Sequence, residues 1–303
     1  MLLAQCACGA NPPNFLTPYD SYLAPRYTLE PLDVSNWSTP VRSPSILTES
    51  DPLQARSMLF STARAALSAA VVAMTQRGDT LPFVETTSKS EYLSGCIPQV
   101  LGRVSRSMPE QSEVAIFVSD FGFKTDRPME QFQIYDDAWS LDLNFAEVFL
   151  ERAGRAYISS LPKVFGLPFG GLAMLSEDIE VESDLSKSQE ATLRMLLKDK
   201  IPQLEEIRSR RRANLTYLEK KIRPWELQFN LKSTDMPGAA VVKPNFSFNE
   251  KDFRRRVNAH GVRSTSFFGN QAVLIPVHQG LSRLDLDYLL DVTRHCLEES
   301  RSA

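Results

Sequence analysis

The feature that most constrains the fold of this sequence is a run of five consecutive apolar residues at 114–118. A strand that is buried on one face alternates apolar and polar side chains, whereas a strand covered on both faces is apolar throughout. Two other short runs, 80–84 and 132–135, have strand-like composition. Residues 91–104, between the runs 80–84 and 114–118, are typical of a crossover helix. Strands that alternate with helices predict an α/β layer architecture.

The chain divides by composition into three segments. Residues 1–48 are rich in Pro, Ser, Thr and Asn, which predicts an irregular N-terminal arm. Residues 49–186 contain the strand and helix signals, and they predict a large three-layer α/β/α domain with a mostly parallel sheet. Residues 187–303 begin with a charged helical pattern that should break near Pro202, and they predict a long helix followed by a smaller α+β domain.

Composition excludes several classes of partner. The formal net charge of -3 gives no electrostatic reason to expect nucleic acid or an anionic membrane surface. No segment reaches the roughly 20 apolar residues that a membrane span requires. The four cysteines are scattered apart from Cys6 and Cys8, and one such pair is weak evidence for a metal site. We therefore expect a soluble cytoplasmic protein with no bound metal.

Two short segments carry the clearest chemical signal. Lys163 lies between a pair of serines and a Gly-Gly pair, a context that suits an amine which must be placed and desolvated to react. Upstream, an apolar stretch delivers Asp136 at what we expect to be a strand end. A carboxylate and a lysine at two strand ends are what a pyridoxal phosphate (PLP) site requires, one for the pyridinium nitrogen and one for the Schiff base.

Four segments together resemble the DegT/DnrJ-type sugar aminotransferases, a family of PLP enzymes with the aspartate aminotransferase (type I) fold. The segments are Phe-Ser-Thr-Ala-Arg-Ala-Ala-Leu at 60–67, Ile-Tyr-Asp-Asp-Ala-Trp-Ser-Leu at 134–141, the lysine segment at 159–171 and the stretch 270–290. The lysine segment is similar to a family variant with Ser-Leu-Arg-Lys before Pro-Asp-Gly-Gly. The stretch 270–290 contains a strand, His278 and a Gly-Leu-Ser turn, and we interpret His278 as structural.

The resemblance implies a role for each candidate residue. Lys163 would hold the cofactor as an internal aldimine, and Asp136 would pair with the pyridine nitrogen, although a register shifted by one gives that role to Asp137. Ser160, or else Ser159, would bind the cofactor phosphate. The phosphate would also rest on the backbone around Thr62 and Ala63, because a helix N-terminus presents free N–H groups and a positive dipole end.

The sequence also departs from the family pattern. Trp139 occupies the place of a Gln or His that packs near the cofactor in family members. An aromatic residue that would stack on the ring is not recognisable at 83–87. Whether Arg64, Lys89 or Arg263 binds a substrate carboxylate or phosphate stays open.

The resemblance implies an aminotransferase that acts on a keto-sugar nucleotide or a related biosynthetic ketone. Glutamate or glutamine would be the amino donor, and the enzyme would be a homodimer. Two alternatives remain from the sequence. One is a PLP enzyme of another reaction type, such as elimination or condensation, and the other is a catalytically silent relative that serves as a binding or regulatory protein.

Overall fold

In the computed structural model, the described residues are 27–28, 56–75, 82–88, 114–125, 129–263, 266–267 and 270–302. Most of the expected arm at 1–48, the Cys6 and Cys8 pair, the expected crossover helix at 91–104 and Lys89 lie outside these ranges, as does the side chain of Arg263. Within the ranges, no helix combines the length and the hydropathy that a bilayer crossing needs.

The secondary structure of the described residues is as follows. The strands are β1 (Tyr27–Thr28), β2 (Ser57–Phe60), β3 (Phe83–Thr86), β4 (Ala115–Val118), β5 (Ile134–Asp136), β6 (Ala156–Ser160), β7 (Gly171–Leu175), β8 (Glu226–Leu227), β9 (Ala239–Lys243), β10 (Val262–Arg263), β11 (Ser266–Phe267) and β12 (Ala272–Pro276). The helices are α1 (Ala63–Met74), α2 (Leu143–Arg152), α3 (Leu161–Phe165), α4 (Lys187–Lys200), α5 (Leu204–Lys221), α6 (Glu250–Ala259) and α7 (Arg283–Glu299).

Six of the described strands form one mixed sheet in the order β2-β7-β6-β5-β4-β3. Neighbours from β3 to β6 are parallel, and β7 runs antiparallel to both β2 and β6. The mostly parallel sheet predicted from the run at 114–118 is thereby confirmed. Of the strand expected at 80–84, residues 80–81 lie outside the described ranges, and β3 begins at Phe83, directly after Pro82, which has no amide hydrogen to donate to the ladder.

Side chains of opposite character cover the two faces of this sheet. The face under α1 is aliphatic, and its buried residues include Val84, Ile116, Ile134, Ala156 and Ile158. The other face is aromatic, with rings of Phe117, Tyr135 and Tyr157 packed near Phe145 and Phe149 of α2. Successive residues of a strand point to opposite faces, so α1 and α2 lie on different sides of the sheet. The described residues therefore form the three layers that the sequence predicted.

The described residues fall into two compact units. Residues 56–205 form the unit with the mixed sheet. Residues 206–302, with 27–28, form a second unit in which an antiparallel sheet of order β11-β12-β9-β8 packs with α6 and α7. A short 3-10 turn, Ile201–Gln203, separates α4 from α5 at the proline where we expected a break. The domain boundaries at 48 and 186 remain predictions.

Candidate active site

The candidate residues gather at one edge of the mixed sheet. Strands β3 to β6 are parallel, so their carboxyl ends meet there, and such an edge is where α/β proteins bind ligands. Asp136 ends β5 and lies opposite Val118 of β4 and Ile158 of β6. Lys163 follows β6 in the short helix α3.

The two adjacent acids, Asp136 and Asp137, have different surroundings. Asp136 shares the α1 face of the sheet with Ile134, and its carboxylate accepts a hydrogen bond from the Ala138 amide at 3.1 Å. Asp137 is fully buried and accepts a hydrogen bond from the Tyr157 hydroxyl at 2.7 Å, on the aromatic face. Burial raises the pKa of Asp137, while the nearby Lys124 ammonium opposes that rise. Burial and the carboxylate of Asp137 together raise the pKa of Tyr157 well above its ordinary range.

The two adjacent serines differ in the same way. The Ser159 hydroxyl is fully buried and donates to the Ser140 carbonyl at 2.6 Å. Ser160 points to the opposite face, since side chains alternate along β6. Ser160 is 8% exposed and occupies the N-cap position of α3 without a side-chain capping bond, and its hydroxyl has no hydrogen-bond partner among the described residues. Ser160 therefore has a hydroxyl available to a ligand, and Ser159 does not.

A glycine brings the start of α1 close to Ser160. Gly171 pairs with Ser160 on one side and with Phe60 on the other. A Cβ atom on Gly171 would lie 2.4 Å from the Ala63 nitrogen, so only glycine permits this approach. Thr62 caps α1, with its side-chain oxygen accepting from the Ala65 amide at 3.1 Å. The first turn of α1 contains no acidic residue, so its positive end is not neutralised within the turn.

The amine of Lys163 lies beside an aromatic pair. Lys163 is 9% exposed, and its Nζ atom is 4.3 Å from the centroid of the Trp139 ring. The Trp139 ring in turn lies 5.7 Å from that of Phe121. Phe121 follows β4 and has a positive φ of 53°, a backbone conformation that is rare for a bulky residue and is frequent at functional sites. Sequence reasoning missed Phe121, although its place just after the run at 114–118 marks the same strand edge.

Residues 84–88 do not supply an aromatic ring to this edge. The Thr87 hydroxyl donates to the Phe123 carbonyl at 2.9 Å, and the Ser88 hydroxyl donates to Asp120 at 2.7 Å. Phe83 stacks on Phe132 in the core, with ring centroids 6.2 Å apart. The aromatic ring that the structure shows over the candidate lysine is that of Trp139.

The sequence matches a family model described as "putative PLP-dependent aminotransferase" over residues 53–220, more than half of the 303 residues. The chain belongs to this family of PLP-dependent aminotransferases. PLP is accordingly the cofactor of this enzyme, and a transamination requires small-molecule substrates. No curated protein matches the sequence.

Solved structures of aminotransferases share the fold at low sequence identity. A "putative sugar aminotransferase", Spr1654 from Streptococcus pneumoniae, is 11% identical with a TM-score of 0.59, covering 80% of this chain and 88% of that chain. The aminotransferase TlmJ from Streptoalloteichus hindustanus is 13% identical with a TM-score of 0.56, covering 80% and 86%. PseC from Helicobacter pylori, an aminotransferase involved in the biosynthesis of pseudoaminic acid, is 10% identical with a TM-score of 0.55, covering 80% and 87%.

The residues of this aminotransferase suit PLP chemically. A strand-end carboxylate, a buried lysine, a serine hydroxyl that makes no capping bond and a helix N-terminus provide one group for each polar part of the cofactor. His278, in the C-terminal unit, accepts a hydrogen bond at Nδ1 from the Gly280 amide at 3.2 Å. That bond lies within the turn after β12, and the structural role expected for His278 stays a prediction.

Proposed function

We propose that this aminotransferase attaches PLP to Lys163 and belongs to the DegT/DnrJ-type branch. Asp136 pairs with the pyridine nitrogen and keeps it protonated. Ser160 and the backbone at Thr62 and Ala63 bind the phosphate. Bound in this way, PLP withdraws electrons from the substrate carbon that exchanges its amino group.

One observation carries this proposal. Side-chain alternation and strand register put Asp136 and Ser160 on the α1 face of the sheet, at the edge where α1 begins. Their neighbours Asp137 and Ser159 are bound on the aromatic face, by Tyr157 and by the Ser140 carbonyl. The geometry thus favours Asp136 and Ser160 over the neighbours that the sequence left open.

Lys163 has a second role once the substrate amine has displaced it from the cofactor. Its Nζ atom would then move the proton between the substrate carbon and the cofactor. The position of Lys163 supports this role, because its side chain is 9% exposed and lies in the short helix that follows β6, at the sheet edge where Asp136 ends β5.

We further propose that the amino acceptor is a keto-sugar nucleotide or a related biosynthetic ketone, and that glutamate or glutamine is the donor. Support for this substrate class comes by likeness of fold from Spr1654, described as a putative sugar aminotransferase, and from PseC, an aminotransferase of pseudoaminic acid biosynthesis. We also propose a homodimer, the arrangement that the family resemblance implies.

The test of this function is the absorbance of the purified protein after incubation with PLP, before and after borohydride. We expect a band near the visible edge that borohydride bleaches, and a covalent adduct on the peptide that contains Lys163. Lys163→Ala should lose both, whereas Lys220→Ala, which alters an exposed lysine of α5, should keep both. Wild-type protein that forms no adduct on Lys163 would refute the proposed attachment.

A second stage of the same test addresses the reaction. Glutamate and glutamine are supplied to the loaded enzyme, and loss of the band with formation of the matching keto acid is expected. Cofactor attachment without amino transfer from any donor would instead support elimination or condensation chemistry. Absence of attachment would support the catalytically silent relative.

A further inference from the structure

One hydroxyl group holds both ends of the loop that follows Asp136. The Tyr157 hydroxyl donates to the Asp137 carboxylate at 2.7 Å, at the start of the loop. The same oxygen accepts from the Asp142 amide at 3.0 Å, at the end of the loop. Tyr157 lies on β6, the strand that leads into Lys163. The loop after β5 is therefore attached to the strand that positions the candidate lysine.

Two further hydrogen bonds shape the middle of this loop. The Ser140 amide donates to the Asp137 carbonyl at 2.9 Å and closes a turn around Trp139. The Ser140 carbonyl accepts from the Ser159 hydroxyl at 2.6 Å, a second attachment to β6. Trp139 lies between these fixed points, with its ring over the Lys163 amine at 4.3 Å.

The loop is held by charged groups that are costly to bury. Asp137 is fully buried, and Asp142 at the other end of the loop forms a largely buried ion pair with Lys124. Asp142 also caps α2 by accepting from the Phe145 amide at 3.1 Å. Buried ionic groups add little net stability compared with apolar residues of the same size. A cluster of this kind is therefore better explained by the geometry that it imposes than by the stability that it adds.

We propose that Asp137 and Tyr157 are positioning residues whose buried hydrogen bond fixes the loop 137–142 on β6 and thereby holds the Trp139 ring over the amine of Lys163. This inference rests on the proposed function only in the role that it gives to the Lys163 amine, the attachment of PLP. The ring covers the amine until the cofactor is attached and keeps it pointed into the site. Trp139, which stands where family members have Gln or His, therefore helps to position Lys163 in this chain.

The test measures how fast Lys163 is acetylated by acetic anhydride in the full-length chain without cofactor, with each lysine resolved by peptide mass spectrometry. Trp139→Leu removes the ring, and Lys163 should react faster by on the order of three- to thirtyfold, the range that corresponds to a cation–π contact. Tyr157→Phe, which removes only the hydroxyl, should produce a change of the same sign. The exposed lysines Lys198 and Lys220 are the internal reference and should not change.

The double variant Tyr157→Phe with Trp139→Leu decides between positioning and general loosening. If Tyr157 acts through Trp139, the double variant reacts at the rate of Trp139→Leu alone. The proposal would be overturned if the rate increases of the two single variants multiplied in the double variant, or if Tyr157→Phe reacted at the wild-type rate. Asp137→Asn keeps an acceptor for Tyr157, so its Lys163 should be acetylated at close to the wild-type rate. Asp137→Ala removes that acceptor and should resemble Tyr157→Phe. These two variants test the same hydrogen bond if Tyr157→Phe folds poorly.

The same samples keep this inference separate from the proposed function. Incubation with PLP and borohydride reports whether Lys163 is the attachment site, and acetylation of the cofactor-free chain reports whether the loop covers it. Altered acetylation in Tyr157→Phe with no PLP adduct in wild type would preserve the positioning role and refute the attachment. A PLP adduct on Lys163 in wild type, together with unaltered acetylation in Trp139→Leu, would support the attachment and refute the positioning role.

Discussion

The Nζ atom of Lys163 lies 4.3 Å from the centroid of the Trp139 ring, and this contact joins the helix after β6 to the loop after β5. These two elements follow or contain Asp136 and Lys163, the carboxylate and the amine that we propose for binding PLP. The contact is possible because β5 and β6 are parallel neighbours, with Asp136 opposite Ile158. The chemistry of the candidate site therefore depends on one pair of adjacent strands.

Exchanging each of the two adjacent acids for its amide should separate their roles. Asp136→Asn is expected to lower the kcat of amino transfer by about 100-fold or more, since a neutral amide does not hold the pyridine nitrogen in its protonated form. Asp137→Asn keeps an acceptor for Tyr157 and should cause a much smaller loss. Steady-state kinetics with a working amino donor measures both. Equal losses in the two variants would contradict the assignment.

The paired serines allow a second matched comparison. Ser160→Ala removes a hydroxyl that has no partner among the residues that the structure describes, so PLP affinity should fall roughly 10- to 100-fold, as for a lost hydrogen bond to a charged group, with little change in thermal stability. Ser159→Ala removes the bond to the Ser140 carbonyl and should instead lower the free energy of unfolding by about 1 kcal/mol. PLP titration and urea unfolding of both variants check the pattern. A reversed pattern would assign the phosphate to Ser159.

The close approach at Gly171 predicts a sensitive position. A Cβ atom there would lie 2.4 Å from backbone atoms of Thr62 and Ala63, which cannot move without displacing the start of α1. Gly171→Ala should lower the free energy of unfolding by about 1–3 kcal/mol and weaken PLP binding as well. Gly280→Ala is the control, because the nearest described atoms to its Cβ would belong to the His278 side chain, at 3.3 Å. Urea unfolding should show a clearly smaller loss for the control.

Burial of Asp137 predicts a pH dependence of stability. The pKa of Asp137 is raised, so the folded protein binds that proton more tightly than the unfolded chain does. The stability due to the bound proton is complete below the unfolded-state pKa of about 4 and is lost as the pH rises through the raised folded-state pKa. Wild type should therefore lose stability relative to Asp137→Asn across that window.

Urea unfolding of both proteins at several pH values between about 4 and 8 measures this difference. Lys124 faces Asp137 and opposes the rise of its pKa, so Lys124→Met should widen the pH window. A stability difference that is constant with pH, or that favours wild type as the pH rises, would show that Asp137 titrates normally in the folded protein.

Much of the fold followed from local sequence patterns. The run at 114–118 predicted a strand of a parallel sheet, and β4 occupies Ala115–Val118 in the parallel part of the sheet. Pro202 marked the break between α4 and α5. The direction of β7 was not predictable in this way, because a short apolar run has the same pattern in a parallel and in an antiparallel strand.

By itself, the sequence determined the residue types of the site and their order along the chain: a helix start with small residues, a strand-end acid and then a lysine. Only the tertiary structure decided which of two adjacent acids and which of two adjacent serines faces the α1 side. Side chains alternate along a strand, so a shift of one residue exchanges the faces, and the register of β5 on β6 sets that choice. The same non-local pairing brings the Trp139 ring to Lys163, because no pattern within either segment specifies the distance between them.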